Sequence, residues 1–186
     1  MTTGAQTMAR FVPLDEFSAT IGAAELLLFC RDLRGTLIDA AVAAAGRALS
    51  VQPHGESALG VAGAGVGVAV ETTEGTLVPV VRNAVDGLLP AVRDEVSRLI
   101  DAARAGRLAP SDIGGAAVTV CDSVPLIGAV AVEGRNCILT VSGPRAGSGL
   151  VTLSLAVGGS DVRTDVARTF FATVVRLLRH PYRLLV

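Results

Sequence analysis

The chain has 186 residues, 51% hydrophobic and 18% charged, with a formal net charge of −1. That is enough apolar material for one full-sized core, and a near-neutral balance without runs of like charge excludes the electrostatic footprint of a nucleic-acid binder or a polybasic membrane surface. The 16 basic residues are all arginine and aromatic content is 3%, so Schiff-base lysine and P-loop chemistry are excluded, and base-stacking platforms have almost no material.

In chain order, residues 1–9 are small and polar and read as a flexible N-terminus ahead of a single domain over 10–186. They carry no hydrophobic signal core, which points to a cytoplasmic protein. Phe11 to Phe17 reads as a short edge strand or an arm. From Ala23 to Leu49, apolar residues such as Leu26, Leu27, Cys30, Leu33, Leu37 and Ile38 recur at helical spacing. Gly35 is a possible break, so this is one long amphipathic helix or two joined ones. Val51 to Leu59 holds Pro53 and Gly55 and reads as a loop. Val61–Val70 and Leu77–Val81 are β-rich runs around a Glu74-Gly75 turn, a hairpin signal.

Pro90 suits a first helical turn, Val92, Val96, Leu99, Ile100 and Ala103 form one stripe, and Gly106 supplies the stop. Strands follow at Ala116–Val120, Leu126–Val132, Cys137–Val141 and Leu150–Leu155, then a helix from about Asp161 to Arg179 with Val166, Phe170, Val174 and Leu177 inward. Several connections are too short for a parallel crossover, so the class is α/β with a mixed sheet.

The candidate chemistry is sparse. Gly63-Ala64-Gly65-Val66-Gly67 runs on into strand rather than opening a helix, so its glycines serve close backbone packing better than phosphate binding. His54 lies in the Pro/Gly loop and His180 suits a helix C-terminus, and neither has a nucleophile or orienting acid beside it. The cysteines Cys30, Cys121 and Cys137 are odd in number and lack CxxC spacing, which reads as reduced intracellular thiols without a metal site. Cys121 follows Val118-Thr119-Val120 and precedes Asp122. A strand-end position facing a pocket is therefore open to it, although a free cysteine is more often a small buried hydrophobe.

Several segments resemble one family when taken together: Val68-Ala69-Val70-Glu71-Thr72, then Gly75 to Ala84 (GTLVPVVRNA), Ala102 to Asp112 (AARAGRLAPSD), Gly114-Gly115, Leu153-Ser154-Leu155, Ala167-Arg168-Thr169-Phe170 and Pro181 to Leu185. They are similar to the catalytic domain of the dihydrolipoamide acyltransferases of 2-oxoacid dehydrogenase complexes, over about residues 10–186. The resemblance implies a chloramphenicol acetyltransferase-like mixed sheet flanked by helices, assembled as a homotrimer with sites between subunits. The chain starts directly with the catalytic segment, so it also implies a protein without its own lipoyl arm.

The family's site is an Asp-His-Arg-X-X-Asp-Gly turn with a histidine base, plus a hydroxyl that steadies the oxyanion from a neighbouring subunit. Counting from Leu155, the histidine position falls on Val157, the second aspartate on Asp161 and the glycine on Val162, while the serine falls on Cys121 and the asparagine on Asp122. Loss of an imidazole base removes about 100-fold to 10,000-fold from a proton-transfer step.

Cys121 and Asp161 become the catalytic candidates, and Thr119, Asp122, Val157 and Ser160 the substrate-binding ones. The first reading is a repurposed member that binds or transforms a small apolar metabolite, in a tailoring or ring-forming step, at a subunit interface. The second retains acyl transfer from acetyl-CoA or an acyl carrier with a substitute base, the only setting that calls for a cofactor. The third is a non-catalytic structural or regulatory trimer.

Overall fold

The computed structural model describes residues 15–51, 65–85, 88–122, 137–144, 148–158 and 162–185. Within them the order is β1 (Asp15–Gly22), α1 (Ala23–Asp32), α2 (Leu37–Ser50), β2 (Gly65–Val68), β3 (Val70–Thr72), β4 (Gly75–Leu77), β5 (Val80–Val81), α3 (Leu89–Arg104), β6 (Ala116–Cys121), β7 (Cys137–Ser142), β8 (Leu150–Val157) and α4 (Thr164–Arg179). Short 3-10 turns occupy Arg82–Ala84, Pro110–Asp112 and Pro181–Leu185.

The main sheet runs β1-β8-β7-β6-β2-β5. Strands β2, β6 and β7 are parallel to one another, and the remaining pairs are antiparallel. The mixed sheet read from the short connections is therefore present. Alternation sets its two faces: Val151, Leu153, Leu155 and Val157 of β8 enter the core with Phe170 and Val174 of α4, whereas Leu150 and Thr152 are exposed.

The expected break at Gly35 separates α1 from α2. Helix α1 closes with Arg34 N–H on the Arg31 carbonyl (3.1 Å) and Gly35 N–H on the Cys30 carbonyl (2.8 Å), with Arg34 at φ 53°. This is a Schellman ending, in which a left-handed residue brings orphan carbonyls their donors. Helix α2 then starts in a reciprocal cap: Thr36 Oγ1 accepts from Asp39 N–H (3.2 Å), and Asp39 Oδ2 accepts from Thr36 N–H (2.7 Å). Its alanines Ala40, Ala41, Ala43, Ala44, Ala45 and Ala48 are all buried, so α2 lies between α4 and α3. Helix α3 ends where Gly106 predicts, at φ 63° with Arg107 N–H on the Ala102 carbonyl (2.8 Å).

Two element boundaries differ from those expected. The edge strand β1, Asp15–Gly22, includes Asp15–Phe17 of the predicted segment and runs on to Gly22, and residues 11–14 lie outside the described residues. The last helix begins at Thr164 rather than Asp161. The two runs around Glu74-Gly75 make the expected hairpin: Thr72↔Gly75, Glu71↔Thr76 and Val70↔Leu77 of β3–β4 continue in one antiparallel register into Gly67↔Val80 and Val66↔Val81 of β2–β5. Pro79 has no N–H and so interrupts the ladder between the two parts, but its carbonyl accepts from Val68 N–H (2.9 Å) in the same register. The loop over 52–59 and the strand Leu126–Val132 lie outside the described residues. No described helix is long and apolar enough to cross a membrane.

The glycines of β2 do allow close packing. A Cβ on Gly67 would lie 2.8 Å from Val78 Cγ1 and 3.1 Å from Thr119 Oγ1, and one on Gly65 would collide with Val80 Cγ1.

Candidate functional site

Strand β6 carries Thr119 and Cys121 to one face and Val118 and Val120 to the other, and only the valines join the helix-covered core. Both Thr119 and Cys121 are buried. Cys121 Sγ is 3.4 Å from Thr140 Oγ1. Register then links Cys121, Thr140, Ser154 and Ser18 directly across β6, β7, β8 and β1, a thiol followed by three hydroxyls. Thr119 Oγ1 is buried and has no hydrogen-bond partner among the described residues.

Val157 ends β8, and it is buried in the core cluster opposite Cys137 on one side and Asp15 on the other. Because Ser154, not Val157, stands level with Cys121, the two ends are about 10 Å apart along the strands and about 10 Å across them. A single chain therefore does not bring Val157 and Cys121 together. What it does bring to Val157 is Asp15, whose Oδ2 accepts a hydrogen bond from Thr164 Oγ1 (2.5 Å). Sequence reasoning passed over Asp15 because only the β1–β8 register places it there. Ser160 and Asp161 lie outside the described residues, as does His54.

Asp122 follows β6 directly and lines a cavity of about 130 Å³ with Ile38, Val68, Val70, Glu71, Ile100 and Arg104. The cavity lies beyond the carboxyl ends of the parallel strands β2 and β6, where open α/β sheets commonly take ligands. It adjoins a larger one of about 400 Å³ between α2 and α3, and Ile100 and Arg104 line both.

Away from this crevice, Arg98, Glu95 and Asp112 form a structural charge cluster. Hydrogen bonds from Arg98 to Glu95 (2.8 Å) and Asp112 (2.9 Å) hold both carboxyls below their usual range, and the Ala109 N–H adds to the effect on Asp112. Burial pushes the Cys137 thiol up to about 12, and burial with the Asp39 charge pushes Cys30 up to about 11. His180 is exposed, and its N–H caps α4 on the Arg176 and Leu177 carbonyls. Among the described residues no group of three His, Cys, Asp or Glu side chains is placed to hold a metal ion.

Comparison with known proteins follows the same lines. The family described as 2-oxoacid dehydrogenases acyltransferase (catalytic domain) matches residues 34–141. The dihydrolipoyllysine-residue succinyltransferase component of the 2-oxoglutarate dehydrogenase complex of Bartonella vinsonii subsp. berkhoffii is 33% identical over 132 residues, covering 63% of this chain and 32% of that protein. The chain spans no more than 32% of the length of these curated relatives. The dihydrolipoamide acetyltransferase of Azotobacter vinelandii superposes with a TM-score of 0.71 at 22% identity, over 92% of this chain and 84% of that one. In that enzyme, roles in catalysis have been investigated for a serine, a histidine and an asparagine. A chloramphenicol acetyltransferase superposes with a TM-score of 0.55 at 11% identity, over 91% and 90% of the two chains. The fold is thus chloramphenicol acetyltransferase-like, as the resemblance implied.

Proposed function

The chain belongs to the 2-oxoacid dehydrogenase acyltransferase (catalytic domain) family, and we propose that this member binds a small, largely apolar metabolite and promotes its reaction by holding it in place. One observation carries the reading: where the resemblance puts a histidine base, Val157 is buried hydrocarbon in the core. Positioning needs no such base. Orientation alone lowers a barrier by about 7 to 11 kcal/mol, which suits ring closure or tailoring of a bound chain. The crevice beside Asp122 offers Ile38, Val68, Val70 and Ile100 as an apolar wall, and Glu71, Arg104 and Asp122 as polar groups to orient a ligand. In this reading Asp122 is the residue of this crevice that meets the ligand, a homotrimer brings the Cys121 end of β6 in one copy to the Val157 turn of the next, and Cys121, Thr119, Ser160 and Asp161 act at that junction.

A second reading has its own support in Asp15. A carboxylate level with Val157, hydrogen-bonded to Thr164, is a candidate substitute base for acyl transfer from acetyl-CoA or an acyl carrier. Native mass spectrometry of the purified protein, together with a thiol-release assay on acetyl-CoA, separates the two. A metabolite held reproducibly and lost in Asp122→Asn supports the first. Steady thiol release that disappears in Asp15→Asn supports the second. An empty protein without turnover defeats both and leaves a structural or regulatory trimer.

A further inference from the structure

Helix α4 ends in basic side chains beside an apolar hollow. Ala19 of β1 and Phe171, Ala172 and Val175 of α4 line a groove of about 380 Å³, and Arg176, Arg179 and His180 stand along it. Phe171 and Val175 are buried and form its floor, and the Phe17 ring backs Phe171 at 6.1 Å between centroids. The methyl side chains of Ala19 and Ala172 leave room that longer ones would fill. Arg176 and Arg179 are three residues apart on α4, which puts their side chains on one face with Cβ atoms about 5–6 Å apart.

Neither guanidinium has a hydrogen bond or ion pair among the described residues, whereas Arg168, earlier on the same helix, lies 5.5 Å from the Phe17 ring centroid. The carboxylates on α4 and on the elements packed against it are engaged or turned elsewhere. Asp165 pairs with Arg163, Asp15 accepts from Thr164, Asp39 closes the Thr36 cap, and Asp32 accepts from Tyr182 (3.1 Å). Glu16 belongs to the other face of β1 from Ala19, and the exposed Glu25 of α1 does not line the groove. Arg176 and Arg179 thus have at most one carboxylate between them. A helix C-terminus favours basic residues, but that accounts for neither the apolar hollow nor two like charges side by side, which repel.

We propose that the groove between β1 and α4 binds a small amphipathic anion, its apolar tail on Phe171 and Val175 and its carboxylate head on Arg176 and Arg179. The two oxygens of a carboxylate accept about four hydrogen bonds, enough for both arginines to share one head. The site is independent of the reaction proposed above. It lies at the opposite edge of the sheet from β2 and β5 and shares no lining residue with the crevice beside Asp122.

Calorimetry on the full chain with decanoate, acetate and decanol tests it. Decanoate binds saturably and more weakly as salt rises, whereas acetate lacks the tail, decanol lacks the charge, and neither saturates. Arg176→Gln and Arg179→Gln each weaken decanoate by about tenfold. Ala172→Leu fills the hollow from an exposed position with a good helix former, so it abolishes decanoate binding without lowering the melting temperature. Arg107→Gln, beyond α3, and Asp122→Asn, in the crevice, leave decanoate affinity unchanged, so either site can fail while the other stands. Absence of saturable decanoate binding, acetate or decanol binding as tightly, parental affinity in the arginine variants or in Ala172→Leu, or loss of binding in Asp122→Asn would each overturn the site. So would co-sedimentation with phosphatidylglycerol vesicles that the arginine variants abolish, which would assign the basic patch to a membrane surface.

Discussion

Arg98 shows how one side chain sets the behaviour of two others. Its fork bridges Glu95 on the same helix and Asp112 beyond the helix end, and both carboxyls are held below their usual range by those hydrogen bonds. A carboxyl depressed in the folded state stabilises the fold above its unfolded pKa, and that contribution disappears as pH falls through the depressed value. Arg98→Gln should therefore lower the urea midpoint near neutral pH, and the gap between variant and parent should close in strong acid, where both carboxyls are protonated in either state. A gap that persists in acid would mean that Arg98 acts through packing instead. The thiols give a second residue-scale expectation. Cys137, raised to about 12 by burial, and Cys30, raised to about 11 by burial and Asp39, hold almost no thiolate at neutral pH. Iodoacetamide should leave both unmodified in the native protein and alkylate them only after unfolding, read by peptide mass spectrometry. At this scale the sequence offers candidates where a motif names a position, as at Cys121, Asp122 and Val157. It was silent on Asp15, whose hydrogen bond to Thr164 joins residues 149 positions apart and exists only once β1 pairs with β8.

Elements were legible in proportion to the strength of their local signals. Helices α3 and α4 announce themselves because a continuous stripe, Val92-Val96-Leu99-Ala103 and Val166-Phe170-Val174-Leu177, is the face that ends up buried. The hairpin around Glu74-Gly75 was legible because a local turn fixes its register, whereas the parallel pairing of β2 with β6 joins distant segments and carries no local signal. Helix α2 contains a position where local and tertiary preferences oppose each other. Alanine in place of Gly46 gains about 1 kcal/mol of helix propensity, yet its Cβ would collide with the backbone carbonyl of Ala84. Backbone cannot rotate aside, and overpacking costs about 1–3 kcal/mol or more. The clash wins, so Gly46→Ala should destabilise the protein in thermal or urea unfolding despite the better helix former. Thr36→Ala, which removes one half of the α2 cap, should cost about 1 kcal/mol.

At the scale of the molecule, the sheet has helices on one face, while Ser18, Thr20 and Thr152 on the other face of β1 and β8 are exposed. In the same single chain, the Cys121 end of β6 and the Val157 end of β8 are displaced along the sheet, so residues that the resemblance assigns to one site do not meet. A cyclic trimer resolves the displacement if each site takes its β6 end from one copy and its β8 turn from the next. Heterologous contacts of this kind make a quantitative forecast. On the proposed reading, Cys121→Ala would damage the part supplied by one copy, and Asp161→Ala the part supplied by its neighbour. Each variant assembled alone should bind no ligand. Unfolded, mixed in equal amounts and refolded together, they give trimers in which a site is intact only when an Asp161→Ala copy contributes Cys121 and a Cys121→Ala copy contributes Asp161. Random assembly produces that arrangement at about a quarter of the sites, so about a quarter of the parent's ligand binding should return, with native mass spectrometry reporting mixed trimers. If each site lay within one chain, mixed trimers would form and recover nothing.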